Sequence, residues 1–163
     1  MISRLARFAI AGSIAFADRA SKHWIETNVG AWDSHTIIPN VFNIINTQNR
    51  GAAFGILSDA DLPYQSILFS LISVLALGAI AVYAWKLPVT SRLPQLALAL
   101  IMGGAVGNLL DRMRLGYVID YVDVYWGRHH WPAFNVADSA ISVGVALLVL
   151  DILRNPQEEP EMA

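Results

Sequence analysis

Four aspartates stand at or beside long apolar runs of this sequence: Asp111, Asp120, Asp123 and Asp138. A charge at the centre of a bilayer costs about 2.5–3.5 kcal/mol on insertion scales, so acids in such places are candidates for chemistry. Asp120 is flanked by Ile119, Tyr121 and Val122, where an unpaired carboxylate is costly. Asp138 follows Asn135 by three residues, which puts the two on one helix face. If Asp120 and Asp138 face each other, ionising one opposes ionising the second, and the pair shares a proton. One carboxylate then serves as general base on a water while its protonated partner polarises a carbonyl, which is a way to hydrolyse a peptide bond. Spacing alone does not show that the two meet. The plain readings are a helix-start acid for Asp138, favoured by the backbone dipole, and an interfacial salt-bridged pair for Asp111 with Arg112.

Other chemistries fit less well. Asp123 lies three after Asp120, and on a strand the two point to opposite faces. Ser21-Lys22 invites a Ser/Lys dyad, but adjacent helix residues do not face each other. The four histidines (His23, His35, His129, His130) make no i, i+4 pair with an intervening Glu, so no zinc peptidase motif is present. His129-His130 beside Trp131 reads as an interfacial pair. The absence of Cys excludes disulfides, thiolate metal sites and a cysteine nucleophile. No metal and no cofactor are expected.

The elements that must carry these acids follow from where charge is missing. In 163 residues, 55% are hydrophobic and 15% charged, with a mean hydropathy of +0.47, against roughly a quarter charged in a soluble domain. Tyr64–Trp85, Leu93–Leu110 and Trp131–Leu150, the last broken by Asp138, are apolar runs. Each is about the length that crosses the hydrocarbon core as a helix. At the N-terminus Arg4 and Arg7 precede the apolar run Phe8–Ala17, and Ala15-Phe16-Ala17 fits a cleavage pattern. Three spans follow, so a retained first helix from about Ile2 to Glu26 is expected instead. Asp18 and Lys22 then share a face and can pair.

Four spans put both termini on one side, and that side is expected to be cytoplasmic. The count of basic residues, five inside against six outside, does not decide this. Their density in the short inner segments favours it. A net charge of −2 argues against a nucleic-acid partner. Outside, Thr36–Thr47 reads as one or two strands and Tyr117–Trp126 as another, with Trp126 and Trp131 suited to the membrane interface. Asn49-Arg50-Gly51 reads as a tight turn. Gly103, Gly104 and Gly107 let another helix approach closely, on the helix that carries Asn108 and Asp111. Asn108 and Asn135, as core amides, need partners and can hydrogen-bond the acids.

Several blocks carry a resemblance. Gly103–Arg112 (GGAVGNLLDR), Val118–Tyr121 (VIDY) and Phe134–Ser139 (FNVADS) resemble successive signatures of lipoprotein signal peptidase (signal peptidase II). Asp18–Lys22 (DRASK) resembles its first-helix motif and Asn49–Gly55 (NRGAAFG) its outer-loop motif, with Gly55 where many members have Ser. The blocks run in family order from Asp18 to about Leu150.

The resemblance implies an all-α membrane protein of four transmembrane helices with a small extracytoplasmic β element, about residues 30–60. A single domain over 1–155 would be followed by a disordered tail, 156–163. It implies an aspartic endopeptidase of the bacterial inner membrane, cutting diacylglyceryl-modified prolipoproteins just before the lipidated Cys. Asp120 and Asp138 would be the catalytic pair, and Asp111 with Arg112 supporting structure. Asn49, Asn108 and Asn135 would line the substrate site, with Asn49 and Gly51 in contact with the peptide backbone. Asp18 and Lys22 would brace the first helix and the outer loop. The expected partners are the lipid-modified precursor and the bilayer, with the chain a monomer. The rivals are a small ion- or proton-coupled transporter, for which buried acids are equally natural, and a non-catalytic assembly factor.

Overall fold

The computed structural model describes residues 4–51, 64–88 and 90–155. Four helices, α1 (Arg4–Asn28), α2 (Gln65–Lys86), α3 (Arg92–Leu115) and α4 (Val136–Arg154), accompany strands β1 (Ser34–Ile38), β2 (Phe42–Asn49), β3 (Val118–Trp126) and β4 (His129–His130). Three helices, α2, α3 and α4, are long and apolar enough to cross a membrane. Helix α1 is as long, but Arg7, Asp18, Arg19, Lys22 and Glu26 break its apolar character.

Helix α3 is the axis of the bundle and packs on α1, α2 and α4. Its glycines set the spacing. A Cβ on Gly103 would lie 2.7 Å from the Ala11 carbonyl of α1, and one on Gly104 would strike the Ala137 carbonyl of α4. Adjacent glycines thus open two faces of one helix to two neighbours, as small residues do between membrane helices. Helix α2 keeps most of its apolar surface outward, with Ile67, Leu68, Leu71, Ile72, Val74 and Leu75 exposed. A soluble surface does not carry a patch of that kind, whereas a lipid-facing one does.

The strands form one antiparallel sheet in the order β1-β2-β3-β4. In its register Thr47 faces Asp120 and Asn43 faces Asp123, with a bulge between Ile44 and Thr47. Beyond β4 the chain returns to β3: Val122 N donates to the Phe134 carbonyl (2.9 Å), and Phe134 N to that of Val122 (3.2 Å). That bridge delivers Asn135, the residue before α4, to the flank of Asp120. Ile25, Val29, Ile119 and Tyr121 form a small core between the end of α1 and β3.

Some expected boundaries move. Helix α3 continues past Leu110 until Gly116, at φ 81°, ends it in the left-handed region. Asp111 therefore lies inside α3 rather than at its end. Helix α4 begins at Val136 instead of Trp131, because Asn135 caps it: the Asn135 side chain accepts from Asp138 N while the Asp138 carboxylate accepts from Asn135 N. The β element is not confined to about 30–60 either. It draws β3 and β4 from the second half of the chain, and residues 52–60 of that range, with Gly55, lie outside the described residues, as does the tail 156–163.

Candidate active site

Asp120 stands on β3 and Asp138 in the first turn of α4, both almost fully buried. Each oxygen of each carboxyl receives a donor. Asn49 Nδ2 reaches Asp120 Oδ2 at 2.9 Å, and Asn135 Nδ2 reaches Asp120 Oδ1 at 2.7 Å. Asn108 Nδ2 reaches Asp138 Oδ1 at 2.8 Å, and Asn135 N reaches Asp138 Oδ2 at 3.3 Å. Asn135 therefore touches both acids, and its amide orientation is fixed because its Oδ1 accepts from Asp138 N at 2.9 Å. Burial, and then the charge of Asp138, push Asp120 up from 3.8 to about 7, against the donors Asn49 and Asn135 and the charge of Lys22. A carboxyl in that state holds a proton near neutral pH and can release it to a reacting oxygen.

The other amides are oriented with equal definition. Asn49 Oδ1 accepts from Gly51 N at 2.9 Å, so its Nδ2 must face Asp120. Gly51 in turn offers its carbonyl to Arg112 Nη2 at 2.8 Å. Asn49 and Gly51 are thus tied to Asp120 and Arg112. Asn108 Oδ1 accepts from Lys22 Nζ at 2.9 Å, and an ammonium only donates, so Asn108 Nδ2 must face Asp138.

Lys22 is fully buried, and its remaining partners are Asp18 Oδ2 at 2.8 Å and Asp111 Oδ2 at 2.9 Å. Two carboxylates around a desolvated ammonium are what make such burial affordable. Asp18 Oδ1 also accepts from Ala137 N at 2.9 Å, in the first turn of α4, where unpaired N–H groups and the dipole favour an anion. The pairing of Asp18 with Lys22 is as the spacing predicts. Among the described residues the pair fastens α1 to α3 and to the start of α4, while residues 52–63 of the outer loop it was expected to brace lie outside the described residues. Gly107 leaves the space: a Cβ there would lie 2.5 Å from Asp18 Oδ2.

Asp111 and Arg112 are not partners. Asp111 turns to Lys22, to Arg19 (3.4 Å) and to Ile119 N (3.2 Å), while Arg112 turns to Gly51 and lies 5.8 Å from the centre of the Phe69 ring. Neighbours on a helix diverge by about 100°, so each serves a different wall of the site. Asp123 is held apart from the pair by Asn43 (2.7 Å) and His130 (2.8 Å). Ser21 and Lys22 also part, Ser21 accepting from the Tyr121 hydroxyl at 2.8 Å.

Sequence reasoning missed the link from Lys22 through Asn108 to Asp138, and the roles of Asn43 and Tyr121. A lysine one turn after an aspartate was a signal for the first of these; nothing in the spacing indicated the others. Among the described residues no group of three or more His, Asp or Glu is gathered for a metal ion.

A family model described as Signal peptidase (SPase) II matches residues 10–154. Among curated relatives, a lipoprotein signal peptidase of Geobacter sulfurreducens is 49% identical over 96% of both chains. Another with that name, from Vibrio vulnificus, is 41% identical over 90% of this chain and 87% of its own. Two solved structures described as bacterial membrane enzymes, determined by the in meso method, superpose with a TM-score of 0.83. One, at 31% identity, covers 98% of this chain and 94% of its own; the other, at 29%, covers 93% and 95%.

Proposed function

The chain belongs to the signal peptidase II family, an aspartic peptidase family, and on that premise we propose that Asp120 and Asp138 are the acids with which it removes signal peptides from prolipoproteins. The observation that carries the assignment is Asn135, whose side chain and backbone hold one oxygen of each acid at 2.7 and 3.3 Å. No other pair of buried carboxyls among the described residues shares a residue in this way without a cation between them.

In the reaction, Asp138 is the base and Asp120 the acid. Asp120, at about 7, keeps the shared proton at neutral pH. Asp138 takes a proton from a water, whose oxygen attacks the scissile carbonyl carbon. The carbonyl oxygen takes the proton of Asp120, giving a neutral gem-diol. Collapse returns a proton to Asp120 and breaks the C–N bond, while the proton held by Asp138 passes to the leaving amine. Asn49, Asn108 and Asn135 hold the acids in place, and Arg112 secures the turn at Gly51. Lys22, Asp18 and Asp111 fix the helices around them.

The substrate is the diacylglyceryl-modified precursor, cut just before the lipidated Cys. Acids that lie where β3 meets the first turn of α4 suit a bond at the membrane surface, with the acyl chains left in lipid. Helix α1 is the fourth span, its buried Asp18 and Lys22 turned toward α3 and the start of α4, so both termini lie on one side of the bacterial inner membrane. That side is the cytoplasmic one, where Arg4, Arg7, Lys86, Arg92 and Arg154 gather.

The transporter and assembly-factor readings find no support in the relatives. The test is cleavage of a lipid-modified precursor by purified protein. Asp120→Asn and Asp138→Asn should each lose activity while remaining folded, and chelators should leave the parent enzyme unaffected. Normal turnover by either variant would refute the assignment.

A further inference from the structure

Asp120 and Asp138 are held by similar donors, yet the reaction needs one ionised and the other protonated. Each carboxyl meets two N–H groups: Asn49 Nδ2 and Asn135 Nδ2 at Asp120, Asn108 Nδ2 and Asn135 N at Asp138. What differs is the group behind each side-chain amide. Asn49 Oδ1 accepts from the neutral Gly51 N, and Asn135 Oδ1 from the neutral Asp138 N. Asn108 Oδ1 instead accepts from the Lys22 ammonium at 2.9 Å. A cation on the oxygen of an amide polarises its N–H groups, and successive hydrogen bonds strengthen one another in this way. The strengthened donor, Asn108 Nδ2, lies 2.8 Å from Asp138 Oδ1. Lys22 and Asn108 are both buried, where salt and water screen little. The other charges nearby do not separate the two acids in this manner. Arg112 of α3 acts on both of them. Asp18 of α1 and Asp111 of α3 are engaged with Lys22 itself. The charge of Lys22 also reaches Asp120 through space, but its hydrogen-bonded path ends on Asp138. The first turn of α4 favours an anion at Asp138 too, and the ammonium adds to it.

We propose that Lys22 is a positioning residue for the reaction: acting through Asn108, its charge makes Asp138 the carboxylate that serves as base and leaves the shared proton on Asp120. The inference rests on the assignment of the two acids above and gives Lys22 a task beyond fastening the helices. Lys22 touches neither water nor substrate in this scheme and stays an ammonium throughout.

The test reads the proton itself, in the purified full chain. It starts from Asp120→Asn, in which Asp138 is the remaining acid of the pair. Infrared difference spectra against the same protein with Asp138→Asn isolate the Asp138 carboxyl. Lys22→Met is then introduced together with Asp18→Asn, so that the net charge is unchanged and Asp111 keeps Arg19 and Ile119 N. At about pH 6, the expected result is a carboxylate at Asp138 with Lys22 in place and a protonated carboxyl without it. With Asp120 intact, Lys22→Met with Asp18→Asn should cleave a lipid-modified precursor about a hundredfold more slowly, the low end of what a positioned base supplies. Asn108→Leu keeps Lys22 with both of its carboxylates and cuts the path, so it tests the link even where the first substitution unfolds the bundle. It should give the same protonated Asp138. A lysine that only holds helices together would lower Tm and leave Asp138 ionised, and that result overturns the proposal. So does an ionised Asp138 in Asn108→Leu. Normal turnover by Asp120→Asn alone would refute the assignment of the pair, and the role of Lys22 in the reaction with it.

Discussion

Replacing Asp120 by Asn should change how stability depends on pH, with a sign that follows from the site. In the folded protein Asp120 is raised from 3.8 to about 7 by burial and by Asp138. Between those values the folded state keeps a proton that the unfolded chain has released. Stability therefore falls as pH rises through this window, and the whole penalty is present above it. At 1.36 kcal/mol for each tenfold change, the penalty is about 4 kcal/mol. The Asn variant never ionises, so it escapes that penalty. It has one acceptor oxygen for two fixed donors, Asn49 Nδ2 and Asn135 Nδ2, and leaves one of them unmet at about 1–3 kcal/mol. At pH 8 the variant should be more stable by about 1–3 kcal/mol, and at pH 4 less stable by a similar amount. For a chain of this size that is roughly 2–12 °C in Tm in each direction. Thermal unfolding of the two proteins from pH 4 to 8 should give curves that cross. Parallel curves would refute the claim that Asp120 is a buried, destabilising carboxyl.

Further outcomes follow from the same contacts. Peptidase activity should decline as pH rises past about 7, where Asp120 loses its proton; a rate unchanged to pH 9 would contradict its role as acid. Lys22→Met strands Asp18 and Asp111 in the interior and should cost about 3–5 kcal/mol in unfolding experiments. Adding Asp18→Asn and Asp111→Asn should restore much of that stability but not activity, since Asn108 would no longer be oriented. Gly107→Ala should destabilise by about 1–3 kcal/mol as its methyl meets Asp18. Gly12→Ala, with open space around it, should be neutral or stabilising in the same assay.

Much of this arrangement was legible in the sequence because it depends on local pattern. Uncharged runs gave α2 to α4, and β-branched and aromatic stretches gave β1 to β3. The four-residue spacing of Asp18 and Lys22 gave their pairing. What remained hidden depends on contacts distant in the chain. Phe134 returns to Val122, and only that bridge brings Asn135 beside Asp120. Lys22 reaches Asn108 across 86 positions, a link that no spacing rule contains. Asp111 and Arg112 invite pairing because they are adjacent, yet adjacency on a helix sends them to different walls. The end of α3 slipped for another reason: a helix stops where a residue takes the left-handed conformation, here Gly116, and not where its apolar run ends.

The central claim is that Asp120 and Asp138 act as a single unit. Single-turnover cleavage of a lipid-modified precursor should be measured for Asp120→Asn, Asp138→Asn and the double variant, each verified as folded. Residues that act together lose nearly everything with the first substitution. The account predicts three equally low rates. A double variant slower than either single one by the product of their separate losses would mean that the two acids work independently, and would contradict it.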